Sequence, residues 1–84
     1  MPGAAQPAPL HNRMAVLRVE RGITRRQLAE AVGVHYQTVG YLERGEYSPS
    51  LYLALRIAEY FEVPVGVIFS TTPFPRIGST ERSA

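Results

Sequence analysis

The 84-residue sequence contains no cysteine, so disulfide bonds and cysteine-ligated zinc sites are excluded. Its two histidines, His11 and His35, are too few for a closed metal site. No apolar run approaches the roughly 20 residues of a membrane-spanning helix, and the first residues lack the basic flank and long apolar stretch of a signal peptide. We therefore expect a cytoplasmic protein that binds no metal, no cofactor and no membrane.

The sequence also lacks a strong charge and any catalytic pattern. Nine basic and seven acidic side chains leave a formal net charge of only +2, which is weak support for an anionic partner. Neither a Ser-His-Asp pattern nor a glycine-rich phosphate loop is present, and Glu59 and Glu62 are more typical of a solvated helix surface than of a catalytic pair. We expect no enzymatic activity and no small-molecule ligand.

Composition divides the chain into a short folded unit and two flexible arms. Residues 1–9 and 70–84 are rich in Pro, Gly, Ala, Ser and Thr, and they cannot bury enough apolar surface to offset the entropy of ordering. The segment between them, residues 10–69, has about 60 residues, which is near the lower limit for a domain that folds alone. The sequence predicts one domain.

Apolar spacing within this unit is helical, and no segment alternates with the period of two that a half-buried strand would show. The fold class is therefore predicted to be all-α, with five helices at about 10–21, 24–32, 36–44, 51–61 and 64–69. Thr24 and Gln27 form a predicted capping box, Ser50 is a predicted N-cap, and glycines end the first three helices. The side chains predicted to face inward are Met14, Leu17, Leu28, Ala29, Val32, Val39, Leu42, Leu51, Ala54, Leu55, Ala58 and Phe61.

The second and third helices are joined by only three residues, 33–35, which is too short a link for an antiparallel pair. The two helices must cross steeply, and Ala29 and Gly33 provide the small residue and the glycine turn that such a crossing needs. These features, in the strings ITRRQLAEAVGV, HYQTVGYLERGEYSPSLYLALRIAEYF and VPVGVIF, resemble the Cro/C1-type helix-turn-helix family. The resemblance implies a five-helix, lambda-repressor-like domain that binds double-stranded DNA in a sequence-specific manner.

The same resemblance implies which residues contact DNA. The outward face of the third helix would read bases, and its members are Tyr36, Gln37, Gly40 and Tyr41. Gln37 is the first choice, because an amide can pair with adenine N6 and N7 in the major groove. The groups expected to contact phosphate are Thr24, Arg25, His35, Thr38, Arg44, Tyr47 and Ser50. Thr24 and Arg25 stand at a helix N-terminus, which favours an anion.

Some positions depart from the family pattern or allow two interpretations. Relatives usually carry Ser and Arg where this chain has His35 and Tyr36, and we expect the change to remove an N-cap and a base-reading arginine. Tyr36 and Tyr41 could pack along their own helix or contact a thymine methyl or a phosphate. The resemblance also implies a partly buried, structural salt bridge between Arg18 and Glu43.

A single domain of this size reads only a short half-site, so we expect a homodimer on a pseudo-palindromic operator. The predicted dimer interface consists of apolar residues at the end of the domain, namely Val65, Val67, Ile68 and Phe69. Repression of transcription is the expected function. The sequence leaves open an antitoxin, a protein-binding adapter and a restriction-modification controller as alternatives, because a fold does not determine a function.

Overall fold

The computed structural model describes residues 10–75, so the predicted arm 1–9 and the end of the predicted tail, 76–84, lie outside the described residues. The described part contains five helices and two very short strands. In chain order these are β1 (His11–Asn12), α1 (Met14–Glu20), α2 (Arg25–Val32), α3 (Tyr36–Glu43), α4 (Leu51–Phe61), α5 (Val65–Ile68) and β2 (Phe69–Ser70). The predicted five-helix, all-α class is confirmed. No helix within residues 10–75 is long and apolar enough to cross a membrane.

The predicted helix signals are present at both ends of α2 and at the start of α4. The Thr24 hydroxyl accepts a hydrogen bond from the Gln27 amide at 3.0 Å, and the Gln27 side chain accepts one from the Thr24 amide at 2.8 Å. Gly33 ends α2 in the left-handed conformation, with φ of +81°. The Ser50 hydroxyl caps α4 by accepting from the Leu53 amide. These local features determine where α2 begins and ends and where α4 begins.

The core lies between the helices, and α2 packs against both α3 and α4. Burial of these apolar side chains is the main favourable contribution to folding, at roughly 1.5–3 kcal/mol for each large one. The buried apolar residues are Met14, Leu28, Ala29, Val32, Val39, Leu42, Leu53, Ala54, Ile57, Ala58, Phe61 and Ile68. Leu17 packs against this core while remaining partly exposed.

The predicted inward face of α4 is wrong in part. Leu51 and Leu55 are 73% and 49% exposed, whereas Leu53 and Ile57 are buried. Apolar residues occur on every side of α4, so spacing alone does not select a face. The contacts of α4 with α2 and α5 determine which of its faces is buried, and that face includes Leu53 and Ile57.

The two strands join the beginning and the end of the domain. His11 and Asn12 pair antiparallel with Ser70 and Phe69, respectively. The Asn12 side chain accepts a hydrogen bond from the Met14 amide and donates one to the Leu42 carbonyl at 2.9 Å, so α1 starts at Met14 and not at the predicted residue 10. The first residues of the predicted tail are therefore part of the fold.

The four residues predicted as a dimer interface do not form an exposed patch. Ile68 is completely buried, and Val65 and Phe69 pack against the core of their own chain. Only Val67 is exposed, at 37%. The prediction assumed that so short a helix could not bury these side chains. This assumption fails because the pairing of β1 with β2 holds α5 and Phe69 against the core.

Candidate nucleic-acid interface

The outward face of α3 brings the four predicted base-reading residues together. Tyr36, Gln37 and Tyr41 are exposed, and Gly40 lies between them on the same side of the helix. They surround a shallow hollow of about 240 Å³ that is completed by two arginines, Arg25 and Arg44. We call this surface the α3 face. The α3 face combines a side-chain amide, two aromatic rings and two guanidinium groups around one hollow.

Tyr36 is held in place by its neighbours on both sides of the turn. Its ring stacks on the His35 imidazole, with centroids 4.6 Å apart, and the Arg26 guanidinium lies 4.2 Å from the ring centroid. Tyr41 has a similar but looser contact with Arg44, at 5.3 Å. Both tyrosines pack locally, which is one of the two interpretations that the sequence leaves open. No local pattern in the sequence indicates the contact of Arg26 with Tyr36, because the two residues lie on different helices.

His35 caps α3, so the expectation that this residue removes an N-cap is wrong. Its Nδ1 atom accepts a hydrogen bond from the Gln37 amide at 3.1 Å, and its backbone is extended, as at an ordinary N-cap. An imidazole nitrogen therefore takes the capping role that a serine hydroxyl often has. The cap satisfies the backbone amide of Gln37 itself and defines the first turn of the α3 face.

Glu43 is a buried carboxylate shared by two arginines. Its Oε2 atom accepts from Arg18 Nε at 2.6 Å, and its Oε1 atom accepts from Arg25 Nε at 2.9 Å. The Arg18 and Glu43 side chains are only 13% and 3% exposed, so the predicted partly buried salt bridge is confirmed. Arg18 also donates to the Ile23 carbonyl, which ties α1 to the loop before α2.

The contact between Arg25 and Glu43 was not predicted, because the family resemblance implies only Arg18 as the partner of Glu43 and no local pattern joins residues 18 positions apart. Arg25 uses Nε for Glu43, and within residues 10–75 its two terminal nitrogens have no hydrogen-bond partner. The side chain is half-exposed and borders the hollow. The group of Arg18, Arg25 and Glu43 has a formal charge of +1, and its free positive edge belongs to Arg25.

Arg44 and Glu46 form a second, exposed pair beside the hollow. Arg44 Nε lies 2.9 Å from a Glu46 oxygen, and the two side chains are 52% and 54% exposed. The hydrogen bond to Glu46 is the main reason why the pKa of Arg44 is raised above its ordinary value. No role is predicted for Glu46 from the sequence, because a glutamate in a polar loop matches no motif.

The remaining residues predicted to contact phosphate do not line the hollow. Thr24 and Ser50 are occupied as hydrogen-bond acceptors at helix N-termini, although each hydroxyl can still donate. Tyr47 is half-exposed in the loop between α3 and α4, and Thr38 is partly buried on α3. No contact between these side chains joins them into one cluster.

Two short helices, α2 and α3, cross after a glycine turn and present an exposed polar face on the second helix, which defines a helix-turn-helix protein. The sequence profile of a helix-turn-helix family matches residues 14–68, more than half of the chain. The chain therefore belongs to the helix-turn-helix family, in its Cro/C1 (XRE) group.

Similar sequences and structures agree with this assignment. The HTH-type transcriptional regulator YgzD of Bacillus subtilis, described as uncharacterized, is 40% identical over 60 residues, which cover 71% of this chain and 91% of that protein. An uncharacterized HTH-type transcriptional regulator of Archaeoglobus fulgidus is 38% identical over 60 residues, or 71% of this chain and 86% of the relative.

Among solved structures, a protein from Bacteroides fragilis described as DNA-binding matches with a TM-score of 0.66 and 28% identity, over 73% of this chain and 98% of its own. The restriction-modification controller protein C.AhdI from Aeromonas hydrophila matches with a TM-score of 0.60 and 30% identity, over 63% of this chain and 80% of its own. This chain is a transcriptional regulator with a helix-turn-helix DNA-binding domain of the lambda-repressor-like fold.

Proposed function

We propose that the protein binds a specific DNA sequence by inserting α3 into the major groove and that it represses transcription by covering its operator. The observation that carries this proposal is the α3 face, where an exposed amide lies among aromatic rings and guanidinium groups. An α-helix fits the major groove, and side chains near its N-terminus reach the base edges. The His35 cap supports this role because it orders the first turn, where Gln37 lies.

Base reading would centre on Gln37. Its amide offers one donor and one acceptor side by side, which matches N7 and N6 of adenine. Tyr36 and Tyr41 flank it and are restrained by their contacts with arginines, so they would present fixed surfaces to the bases. Gly40 also lines the hollow, where the absence of a side chain leaves room for the Arg44 guanidinium.

Phosphate contacts would come from residues around this face. Arg25 is the strongest candidate, because Glu43 fixes its Nε edge while its terminal nitrogens remain available. The other proposed phosphate contacts are Thr24, His35, Thr38, Tyr47 and Ser50. Such contacts supply affinity that is independent of sequence and falls with salt.

We further propose that two chains bind together. The eight residues of α3 extend about 12 Å, which corresponds to a few base pairs and is too little to specify an operator. Two copies related by a two-fold axis would place their α3 helices in successive major grooves, about 34 Å apart.

Selection of binding sites from random duplexes tests the proposal directly. We expect enrichment of one pseudo-palindromic sequence with adenines in each half-site, and loss of the preference at those adenines for Gln37→Ala. A library that remains random after several rounds with the full-length chain would overturn the proposal.

A controller of a restriction-modification system is a second candidate, favoured by the structural similarity to C.AhdI. In that case the selected operator would occur immediately upstream of a restriction or methyltransferase gene in the source genome. Its absence from such a position would eliminate this candidate without affecting the proposed DNA binding.

A further inference from the structure

The structure places Arg44 across the α3 face, whereas the sequence predicts only a phosphate contact for it. Gly40 precedes Arg44 by one helical turn and has no side chain. A Cβ atom built at Gly40 would lie 3.2 Å from Arg44 Nη1, closer than an ordinary contact. The guanidinium therefore covers the Gly40 backbone, which is buried for this reason. A larger residue at position 40 would push the guanidinium away from the centre of the face.

Glu46 holds the guanidinium in this position. Glu46 accepts from Arg44 Nε at 2.9 Å and from Nη2 at 3.4 Å. The left-handed Gly45, with φ of +75°, turns the chain back, and the Glu46 amide donates to the Tyr41 carbonyl. The loop is thus fixed to α3. Glu46 occupies the Nε–Nη2 edge of the guanidinium, and the hydrogens along its Nη1–Nη2 edge, including the second hydrogen on Nη2, have no partner among residues 10–75.

We propose that Arg44 reads a guanine in the major groove and that Glu46 is the positioning residue that aims it. Guanine presents O6 and N7 as adjacent acceptors, and the end of a guanidinium can donate to both. This inference rests on the proposed function and adds a specificity-determining residue to it.

Charge favours guanine over phosphate as the partner of Arg44. The Arg44–Glu46 pair has no net charge, and a phosphate beside Glu46 would be repelled by its carboxylate. An ion pair without net charge releases few counterions from DNA on binding, so it would add little affinity through a phosphate contact. A guanine edge is uncharged and requires only two well-aimed donors, which the paired guanidinium provides.

The test uses the duplex selected by the unmodified full-length chain, with each guanine replaced in turn by 7-deazaguanine. This base pairs normally but lacks the N7 acceptor. We expect one position in each half-site at which the replacement weakens binding, by between about fivefold and a hundredfold. The weakening at that position should disappear for Arg44→Ala. Arg56→Ala is the matched control, because Arg56 is also exposed and paired with a glutamate, Glu59, but lies on α4.

The variant Glu46→Gln distinguishes two possible roles of Glu46, namely aiming Arg44 at a base and keeping a phosphate away from Arg44. If Glu46 aims Arg44, the variant should bind the selected duplex more weakly, with an unchanged salt slope and a smaller effect of 7-deazaguanine at the Arg44 position only. The inference is overturned if Glu46→Gln binds selected and random duplexes more tightly with a salt slope steeper by about one. It is also overturned if no guanine position depends on Arg44.

The variants Arg44→Ala and Glu46→Gln change exposed side chains, and circular dichroism verifies that both proteins are folded. A failure of the proposed function would be visible earlier, because no duplex would be enriched by the unmodified chain. A failure of this inference alone would leave an enriched operator whose guanines are insensitive to Arg44.

Discussion

At the scale of single residues, Glu43 connects the stability of the domain with its candidate interface. Its carboxylate is buried between Arg18, which ties α1 to the loop before α2, and Arg25, which borders the hollow. Removing a partner of a buried ion pair costs more than the pair contributes, because a charge is left without compensation. The same carboxylate therefore stabilises the fold and orients a cation toward the proposed DNA.

Arg18→Ala should lower the free energy of unfolding by roughly 3 kcal/mol, at the lower end of the range for buried pairs because Arg25 still contacts Glu43. Arg26→Ala is the control, since Arg26 only stacks on Tyr36 and such contacts contribute about 0.5–1 kcal/mol at exposed sites. Urea denaturation of both variants measures the difference. Equal losses would mean that the Arg18–Glu43 pair does not stabilise the fold.

His35→Ala should destabilise the domain by about 1 kcal/mol, because the variant loses the side-chain acceptor for the Gln37 amide. His35→Ser should retain most of the stability, since a serine hydroxyl caps equally well. Thermal unfolding followed by circular dichroism measures both. The cap would be unimportant if alanine and serine gave the same midpoint.

At the scale of elements, the ends of α2 and the start of α4 were predictable from sequence, whereas the start of α1 and the buried face of α4 were not. The Thr24–Gln27 capping box and Gly33 are local signals that spacing reveals, and both are present. The buried face of α4 was not predictable, because Leu51, Leu53 and Leu55 are equally apolar and tertiary packing chooses among them. Short pairings such as that of His11 and Ser70 leave no periodic signal at all.

The end of α4 provides a test of backbone strain. Glu62 follows α4 in the left-handed conformation, with φ of +60°, a position at which glycine is favoured. Glu62→Gly should therefore stabilise the domain by about 0.5–1 kcal/mol, after subtracting the entropy that glycine adds to the unfolded chain.

Glu59→Gly is the matched control for this change, because Glu59 lies inside α4, where glycine should cost about 1 kcal/mol relative to alanine. Urea denaturation should therefore shift the two midpoints in opposite directions. A loss of stability for Glu62→Gly would mean that its left-handed conformation carries no strain.

At the scale of the whole molecule, the class of fold could be predicted from sequence, because a tight link between two helices has few structural solutions. The α3 face and the Arg18–Glu43 pair followed from the resemblance to the Cro/C1-type family. The contact of Arg25 with Glu43 could not be predicted, since the two residues meet only after α2 and α3 have crossed. Ile68, one of the four residues of the predicted dimer patch, belongs instead to the core of its own chain. A sequence pattern does not distinguish a side chain buried by its own domain from one covered by a partner.

Two chains per operator remain our expectation, since one α3 covers few base pairs. An insertion of about five base pairs between the half-sites, half a helical turn, should place them on opposite sides of the duplex and weaken binding strongly. Sedimentation of the complex measures the stoichiometry. One chain per duplex, with no effect of the insertion, would contradict the dimer.

We propose that α3 reads bases while Arg25 contacts the phosphate backbone of DNA. The salt dependence of binding to selected and random duplexes separates these two roles. Gln37→Ala should cost about 1 to 3 kcal/mol on the selected duplex, little on random DNA, and leave the salt slope unchanged. Arg25→Ala should weaken binding to both and reduce the slope by about one, because one fewer phosphate is neutralised. Equal weakening of both duplexes by Gln37→Ala would contradict the placement of α3 in the major groove.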